Sequence, residues 1–170
     1  MGVDVADLLK TSEVPDLGPA RRSGTKSVAE IDKVLGPKAN PLSRATLLVW
    51  HDHLDDAHSI AQSLENADGS YLHGIIHRRE PDYSNAKYWF HRVRRHACFE
   101  PLGRQAASLL QEEKELHDRL LPRQEWDPLA FVDACEEAGD GRLSQAQTAL
   151  LRSIQAAELE ILLGHFSSQG

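Results

Sequence analysis

Two short patterns of histidine and carboxylate residues are the part of this sequence best suited to chemistry. They are His51-x3-Asp55-x2-His58 and His73-x3-His77-x2-Glu80. On an α-helix, residues at positions 0, +4 and +7 share one face, so each pattern would present three metal-ligand or proton-transfer groups on one side. Seven of the nine histidines lie between His51 and His96, which concentrates this chemistry in one segment.

A metal centre is the most specific interpretation, because imidazole and carboxylate groups are ligands for zinc, iron and manganese. Residues seven apart on a helix are separated by about 10 Å along its axis, so His51 and His58 could share one ion only with stretched side chains. A site built from two segments is therefore favoured. The predicted metal ligands are Asp55, His58, His73 and His77. The plain alternative is that the histidines are structural or surface residues, since ionisable clusters also occur without a site.

The same residues could move protons without a metal. A histidine that is hydrogen-bonded to a carboxylate is held in one tautomer and can act as a general acid or base. On this interpretation the catalytic residues are His51, His77 and Glu80. The sequence contains no recognisable serine or cysteine nucleophile motif, no glycine-rich phosphate loop and no HExxH pattern.

The segment that begins at His77 combines cations, acids, an amide and aromatic residues around Pro81. An arginine can hold a carboxylate or phosphate through two hydrogen bonds, and the N-terminus of the following helix would add a favourable dipole. The predicted residues of this site for a small anionic ligand are Arg78, Arg79, Tyr83 and Asn85. An equally good alternative is a helix–loop–helix junction in which Asp82 caps a helix and arginines pair on the surface.

Composition and charge describe an ordinary folded protein and exclude several function classes. The chain has 170 residues, of which 41% are hydrophobic and 26% charged, and this suits one domain. A net charge of −7 argues against a nucleic acid partner, whose phosphates need surplus Lys and Arg. No apolar run is long enough to span a membrane, so no membrane partner is expected. Two widely separated cysteines, Cys98 and Cys135, and no leader indicate a cytoplasmic protein.

Helical periodicity and capping signals predict an all-α, single-domain, irregular helical bundle of about six to seven helices. Residues 1–25 are expected to form an N-terminal arm, because Pro, Gly, Ser and Arg dominate its second half, and residues 26–170 form the helical domain. Ser27 with Glu30 is typical of a capping box, and Asp127 followed by Pro is typical of a helix start.

Three segments within the domain carry specific expectations. Residues 44–66 are predicted to form one long helix that ends near Gly69, and residues 102–121 to form another. Residues 71–76 suit either helix or strand, because their apolar residues fit both and Gly74 favours neither.

The last predicted helix, from about Ser144 to Leu163, carries an apolar stripe at 4-3-4 spacing. The stripe consists of Leu150, Ile154, Ala157 and Ile161. It could pair with a second copy of the chain and form a homodimer. An intramolecular core is the favoured interpretation, because most amphipathic helices bury their apolar face within their own domain.

The sequence GSYLHGIIHRREPDYSNAKYWF over residues 69–90 resembles a group of uncharacterised bacterial and fungal proteins. The same resemblance includes WHDHLD at residues 50–55 and WDP at residues 126–128, and it extends over residues 44–138, more than half of the chain. The group has no assigned activity, so the resemblance implies no catalytic residue and no substrate. It favours treating residues 51–91 as one unit.

Two functional hypotheses follow. In the first, a cleft of this histidine-rich protein holds a divalent metal such as Zn, Fe or Mn and hydrolyses or oxidises a small anionic molecule. The expected lining of the cleft is His51, Asp55, His58, His73 and His77. In the second, the chain is a non-enzymatic helical module for binding or assembly, and residues 71–96 form its recognition surface. The two differ in geometry, because an enzyme site should be concave and a recognition surface broad.

Overall fold

The computed structural model describes residues 4–169, and every regular element in that range is helical. Its ten α-helices are α1 (Val5–Leu8), α2 (Val28–Leu35), α3 (Pro41–Trp50), α4 (Leu54–Ala61), α5 (Ala67–Arg79), α6 (Tyr83–Val93), α7 (Phe99–Leu109), α8 (Lys114–Leu120), α9 (Pro128–Gly139) and α10 (Gln145–Ser167). A 3-10 turn, Pro122–Gln124, lies between α8 and α9. The all-helical prediction is confirmed, but the predicted count of six to seven helices is too low.

The count differs mainly because each of the two long predicted helices is broken. The helix expected over 44–66 ends at Trp50, and α4 starts at Leu54. Between them Asp52 adopts a positive φ of 65°, a conformation that ends a helix and that few side chains adopt. The segment 102–121 is similarly divided, since α7 ends at Leu109 and α8 starts at Lys114.

The ambiguous segment 71–76 is helical and lies in the middle of α5. Gly69 does not end the preceding helix as predicted, because it lies in the first turn of α5, where its N–H donates to the N-cap Asn66. Gly74 permits close packing of α5 on α6. A Cβ at this position would lie 2.8 Å from the Phe90 ring, closer than van der Waals contact allows.

The local start signals read from the sequence act as expected. Ser27 and Glu30 form a capping box at the start of α2. Asp127 accepts hydrogen bonds from two backbone N–H groups at the start of α9, with Pro128 in the first helical position. Asn40 caps α3, because its side-chain oxygen accepts a hydrogen bond from the N–H of Leu42.

Helix α10 runs between two hydrophobic clusters and contributes to both. Leu159 and Phe166 belong to the cluster built mainly on α3, α4, α5 and α6, and Ile154 to the one built on α7, α8 and α9. The four stripe residues, Leu150, Ile154, Ala157 and Ile161, all pack in or against the second cluster. The stripe therefore serves the core of the chain itself. Within residues 4–169, no helix is both long and apolar enough to cross a membrane.

The N-terminal arm is fastened to the helices by hydrogen bonds to a buried histidine. Nε2 of His51 lies 2.9 Å from the carbonyl oxygen of Leu8, and its Nδ1 accepts a hydrogen bond of 3.0 Å from the N–H of Lys26. These partners assign the neutral tautomer with the proton on Nε2. Burial lowers the pKa of His51, which keeps the ring neutral.

This arrangement predicts acid sensitivity that depends on His51. Because the folded-state pKa is depressed, the stabilisation is complete above the unfolded value of about 6.5 and is lost as pH falls below it. We expect His51→Gln, which cannot titrate, to reduce the loss of unfolding free energy between pH 7.5 and 5.5 by about 1 kcal/mol. Urea denaturation at both pH values measures the difference. The exposed His91→Gln is the control, and equal pH slopes for wild type and His51→Gln would disprove the assignment.

Candidate metal centre

Three histidines meet where α4 packs against α5. His58 comes from the last turn of α4, and His73 and His77 lie one turn apart on α5. Nε2 of His58 lies 2.7 Å from Nε2 of His73, and the His77 ring centroid is 5.0 Å from the centroids of both other rings. One nitrogen from each residue lies within 4.8 Å of the other two, so the group can hold a metal ion.

Two carboxylates border this group at the turn between α5 and α6. Oε2 of Glu80 lies 3.2 Å from Nδ1 of His77, and Oε1 lies 3.9 Å from Nδ1 of His58. Asp82 is 3.7 Å from the same His77 nitrogen but is half exposed. Nδ1 of His77 is buried, and despite these distances its geometry gives no hydrogen bond within the described chain. A buried polar atom without a partner is costly, which marks this corner as a place for a ligand or a proton.

Helix α6 closes one side of the group. The Trp89 ring stacks on His73, with centroids 4.0 Å apart and planes inclined by 12°. The side-chain amide nitrogen of Asn85 lies 3.3 Å from Nε2 of His77. The Arg92 guanidinium lies 5.5 Å from the Trp89 ring centroid, in cation–π geometry. The Trp89 ring that contacts His73 therefore has one positive charge beside it.

Two of the three histidines, His73 and His77, are held in their neutral form at physiological pH. Burial and the two neighbouring imidazoles lower the pKa of His73 to about 4. Burial also lowers the pKa of His77, although Glu80 acts in the opposite direction. Neutral imidazole offers a lone pair, which is the state that coordinates a metal. The His58 side chain is 31% exposed, so the group is reached from solvent.

A second group with suitable residue types contains His96, Cys98 and His165. Nε2 of His96 lies 2.7 Å from a carboxylate oxygen of Asp68, and its Nδ1 accepts a hydrogen bond from the N–H of Cys98. Both nitrogens of His96 are thus in use, and burial raises the pKa of Cys98 to about 12. This group is better suited to joining α5, the α6–α7 loop and α10 than to binding a metal.

The structure separates two residues of the first predicted pattern from the histidine group. His51 is fully buried in the break between α3 and α4, where its ring nitrogens bond to the main chain of Leu8 and of Lys26. Asp55 lies in the first turn of α4, is exposed and does not belong to the group of three. Of the four predicted metal ligands, His58, His73 and His77 come together.

The two arginines predicted to hold an anion point into the core instead. Arg78 is 1% exposed and pairs with Glu158 at 2.6 Å, with Gln155 as a further acceptor. Arg79 is fully buried and donates to Asp52 and to the carbonyl oxygens of Gly18 and Val49. A helix that is buried on all sides turns both guanidinium groups inward. This corrects the predicted anion clamp, because neither group reaches a ligand at the surface.

The remaining predicted residues lie on the first turn of α6. Asn85 contacts the histidine group, whereas the hydroxyl of Tyr83 lies against the backbone of α9 at Gly139. Sequence reasoning missed the contributions of Trp89 and Arg92. Their spacing was a usable signal, because Asn85, Trp89 and Arg92 follow one another at +4 and +3 and share one helix face.

In comparisons with protein-family models, with curated proteins and with solved structures, no match to this chain was found. The similarity to the bacterial and fungal group stays a prediction.

The structural role of Arg78 gives a direct prediction. Removing one member of a buried ion pair leaves an uncompensated charge, so Arg78→Ala should lower the free energy of unfolding by about 3–5 kcal/mol. The exposed Arg92→Ala should change it by less than about 1 kcal/mol. Urea denaturation followed by circular dichroism compares the two variants. An equal loss of unfolding free energy in the two variants would show that the Arg78–Glu158 pair does not stabilise this part of the core.

Proposed function

We propose that His58, His73 and His77 bind one divalent transition metal, Zn, Fe or Mn, and that the protein is a metal-dependent hydrolase acting on a small anionic molecule. The observation that carries the proposal is the convergence of three imidazoles beside the carboxylate of Glu80. A divalent metal held by three protein ligands keeps a position for water and acts as a Lewis acid.

The spacing of the three nitrogens supports one ion. Two ligands bonded to a tetrahedral zinc at about 2.0 Å are separated by about 3.3 Å. The Nε2 atoms of His58 and His73 lie 2.7 Å apart and would separate by about 0.6 Å to reach that distance. The third nitrogen, within 4.8 Å, would move inward. Because His58 is at the end of a short helix and partly exposed, its side chain can make this adjustment.

Glu80 fits the role of proton acceptor. It caps the C-terminal end of α5 and is 27% exposed, so its carboxylate reaches both the histidine group and solvent. It faces Nδ1 of His58 and of His77, which would orient both rings when their Nε2 atoms bind a metal. Asn85, near Nε2 of His77, is placed to hold a substrate oxygen by donating a hydrogen bond.

The proposed preference of the site for an anionic substrate depends on Arg92 and not on Arg78 or Arg79. Arg92 is exposed and lies over Trp89, whose ring contacts His73, so its charge stands at the edge of the metal centre. Lys87, on the same helix, is neutralised by an ion pair with Asp133. A substrate with a carboxylate or phosphate would meet the Arg92 guanidinium there.

The alternative of a non-enzymatic binding module is favoured by a different observation. Tyr88 is 53% exposed, beside Trp89 and under Arg92, with ring centroids of the two aromatics 5.3 Å apart. Exposed tyrosine and tryptophan with arginine are typical of protein-binding surfaces. In that case the histidines would stabilise the surface and no turnover would occur.

Metal uptake tests the first part of the proposal. Metal-free protein without a histidine tag should bind about one equivalent of zinc, iron or manganese, and His58→Ala/His77→Ala should bind less than about a tenth of one. Calorimetric titration and elemental analysis measure both. His91→Ala, on the exposed face of α6, and His165→Ala, in the second group, should bind as wild type does. Uptake that depends on His165 and not on His58 and His77 would contradict the assignment.

Glu80→Gln tests the second part. At saturating metal the variant should still take up about one equivalent, but it should hydrolyse 4-nitrophenyl phosphate at least about a hundredfold more slowly, because it cannot accept a proton. Initial rates on the metal-loaded proteins give the comparison, and the exposed Glu65→Gln is the matched control. An unchanged rate of hydrolysis in Glu80→Gln would show that Glu80 is not the proton acceptor. Metal-loaded wild type that hydrolyses neither this ester nor 4-nitrophenyl acetate would favour the binding module.

A further inference from the structure

A second concave site lies apart from the histidine group. A cleft of about 690 Å³ is enclosed by the loop after α6, helix α7 and the segment that leads into α9. Its volume lies within the range of about 300–1,000 Å³ found for small-molecule sites. The cleft shares no residue with the proposed metal centre, so what it binds is a separate question from metal chemistry.

The cleft has an apolar floor and a cationic rim. Phe99, Leu121 and Trp126 provide the floor, and Leu121 and Trp126 are buried. Arginines provide most of the charge at the rim, with two glutamates between them. The charged lining residues are Arg94, Arg95, Arg104, Glu100 and Glu125.

Two of the arginines are free to meet a ligand. Arg104 pairs with Glu100 at 2.5 Å. The side chains of Arg94 and Arg95, in contrast, have neither a hydrogen bond nor an ion pair to any residue in the range 4–169, and both are exposed. Adjacent, unpaired guanidinium groups at the mouth of an apolar cleft suit an anion, which each can bind through two hydrogen bonds.

Backbone strain and a buried donor mark the same place. Arg94 has a φ of 60° and Gln124, on another wall, a φ of 65°, both left-handed conformations that cost non-glycine residues free energy. Strained residues of this kind concentrate at ligand sites. The indole Nε1 of Trp126 is buried and has no acceptor within the described residues. A buried donor without a partner is uncommon, and this one belongs to a lining residue of the cleft.

We propose that this cleft binds a small amphiphilic carboxylate, whose apolar body contacts Phe99, Leu121 and Trp126 while its carboxylate is held by Arg94 and Arg95. An apolar floor alone would accept any hydrophobic molecule, and the unpaired arginines select the anion. His96 also lines the cleft, and its hydrogen bond to Asp68 ties this wall to α5.

Calorimetric titration with 1-naphthoate, and with the uncharged 1-naphthalenemethanol, tests the proposal. Wild type should bind naphthoate with a Kd below about 1 mM and at least about tenfold more tightly than the alcohol. Arg94→Ala/Arg95→Ala should weaken naphthoate binding about tenfold or more and leave the alcohol unchanged. Lys114→Ala/Arg142→Ala removes the same charge from exposed positions outside the cleft and should bind naphthoate as wild type does.

The location is checked by nuclear magnetic resonance. The indole N–H signal of Trp126, assigned with Trp126→Phe, should move on naphthoate addition, while that of the core residue Trp50 should stay. Three outcomes would overturn the proposal. They are no binding of naphthoate, equal weakening in both double variants, and equal affinity for naphthoate and the alcohol. Circular dichroism of each variant shows that the helical fold is intact.

Discussion

The carboxylate of Asp52 organises the half of the molecule that carries the histidine group. Arg22 donates to one oxygen and Arg79 to the other, each at 2.9 Å, and all three groups are largely buried. Burial alone would raise the pKa of Asp52, but the hydrogen bonds from Arg22 and the charge of Arg79 outweigh it and lower the pKa. Two buried cations around one anion must remain paired, since an isolated buried charge costs several kcal/mol. The interaction therefore fixes the arm, the α3–α4 break and the end of α5 together.

The position of the histidine group depends on that break. In a continuous helix over 44–66, His51 and His58 would lie on the same face, about 10 Å apart along the axis. The left-handed Asp52 divides them, so His51 turns into the core and anchors the arm, while His58 turns toward α5. Gly74 brings α6 close to α5, and this places Trp89 on His73. The Asp52 ion pairs and the absence of a side chain at Gly74 thus determine which polar residues come together.

Buried charge also explains why some arginines stabilise the core while others stay at the surface. Arg78 stacks over Phe131 at 4.5 Å and pairs with Glu158, which also accepts a hydrogen bond of 3.0 Å from the Tyr71 hydroxyl. Arg78 and Arg79 thus stabilise α5 from opposite sides. Arg92, Arg94 and Arg95 have no ion pair within residues 4–169, and they lie near the histidine group and at the cleft beside α7. A chain with a net charge of −7 therefore still presents local positive sites.

The sequence by itself determined the helical class, the starts of α2 and α9 and the two-segment origin of the histidine group, because capping boxes and the i, i+4 spacing are local properties. It determined that His58, His73 and His77 are candidates, since their residue types fix their chemistry. Only the tertiary structure decided that Asp55 is left outside, that Arg78 and Arg79 are internal and that Trp89 covers His73. Those outcomes depend on the Asp52 ion pairs and on the burial of α5 on every side. In a helix that is buried on every side, hydrophobic periodicity does not predict which way a polar side chain points.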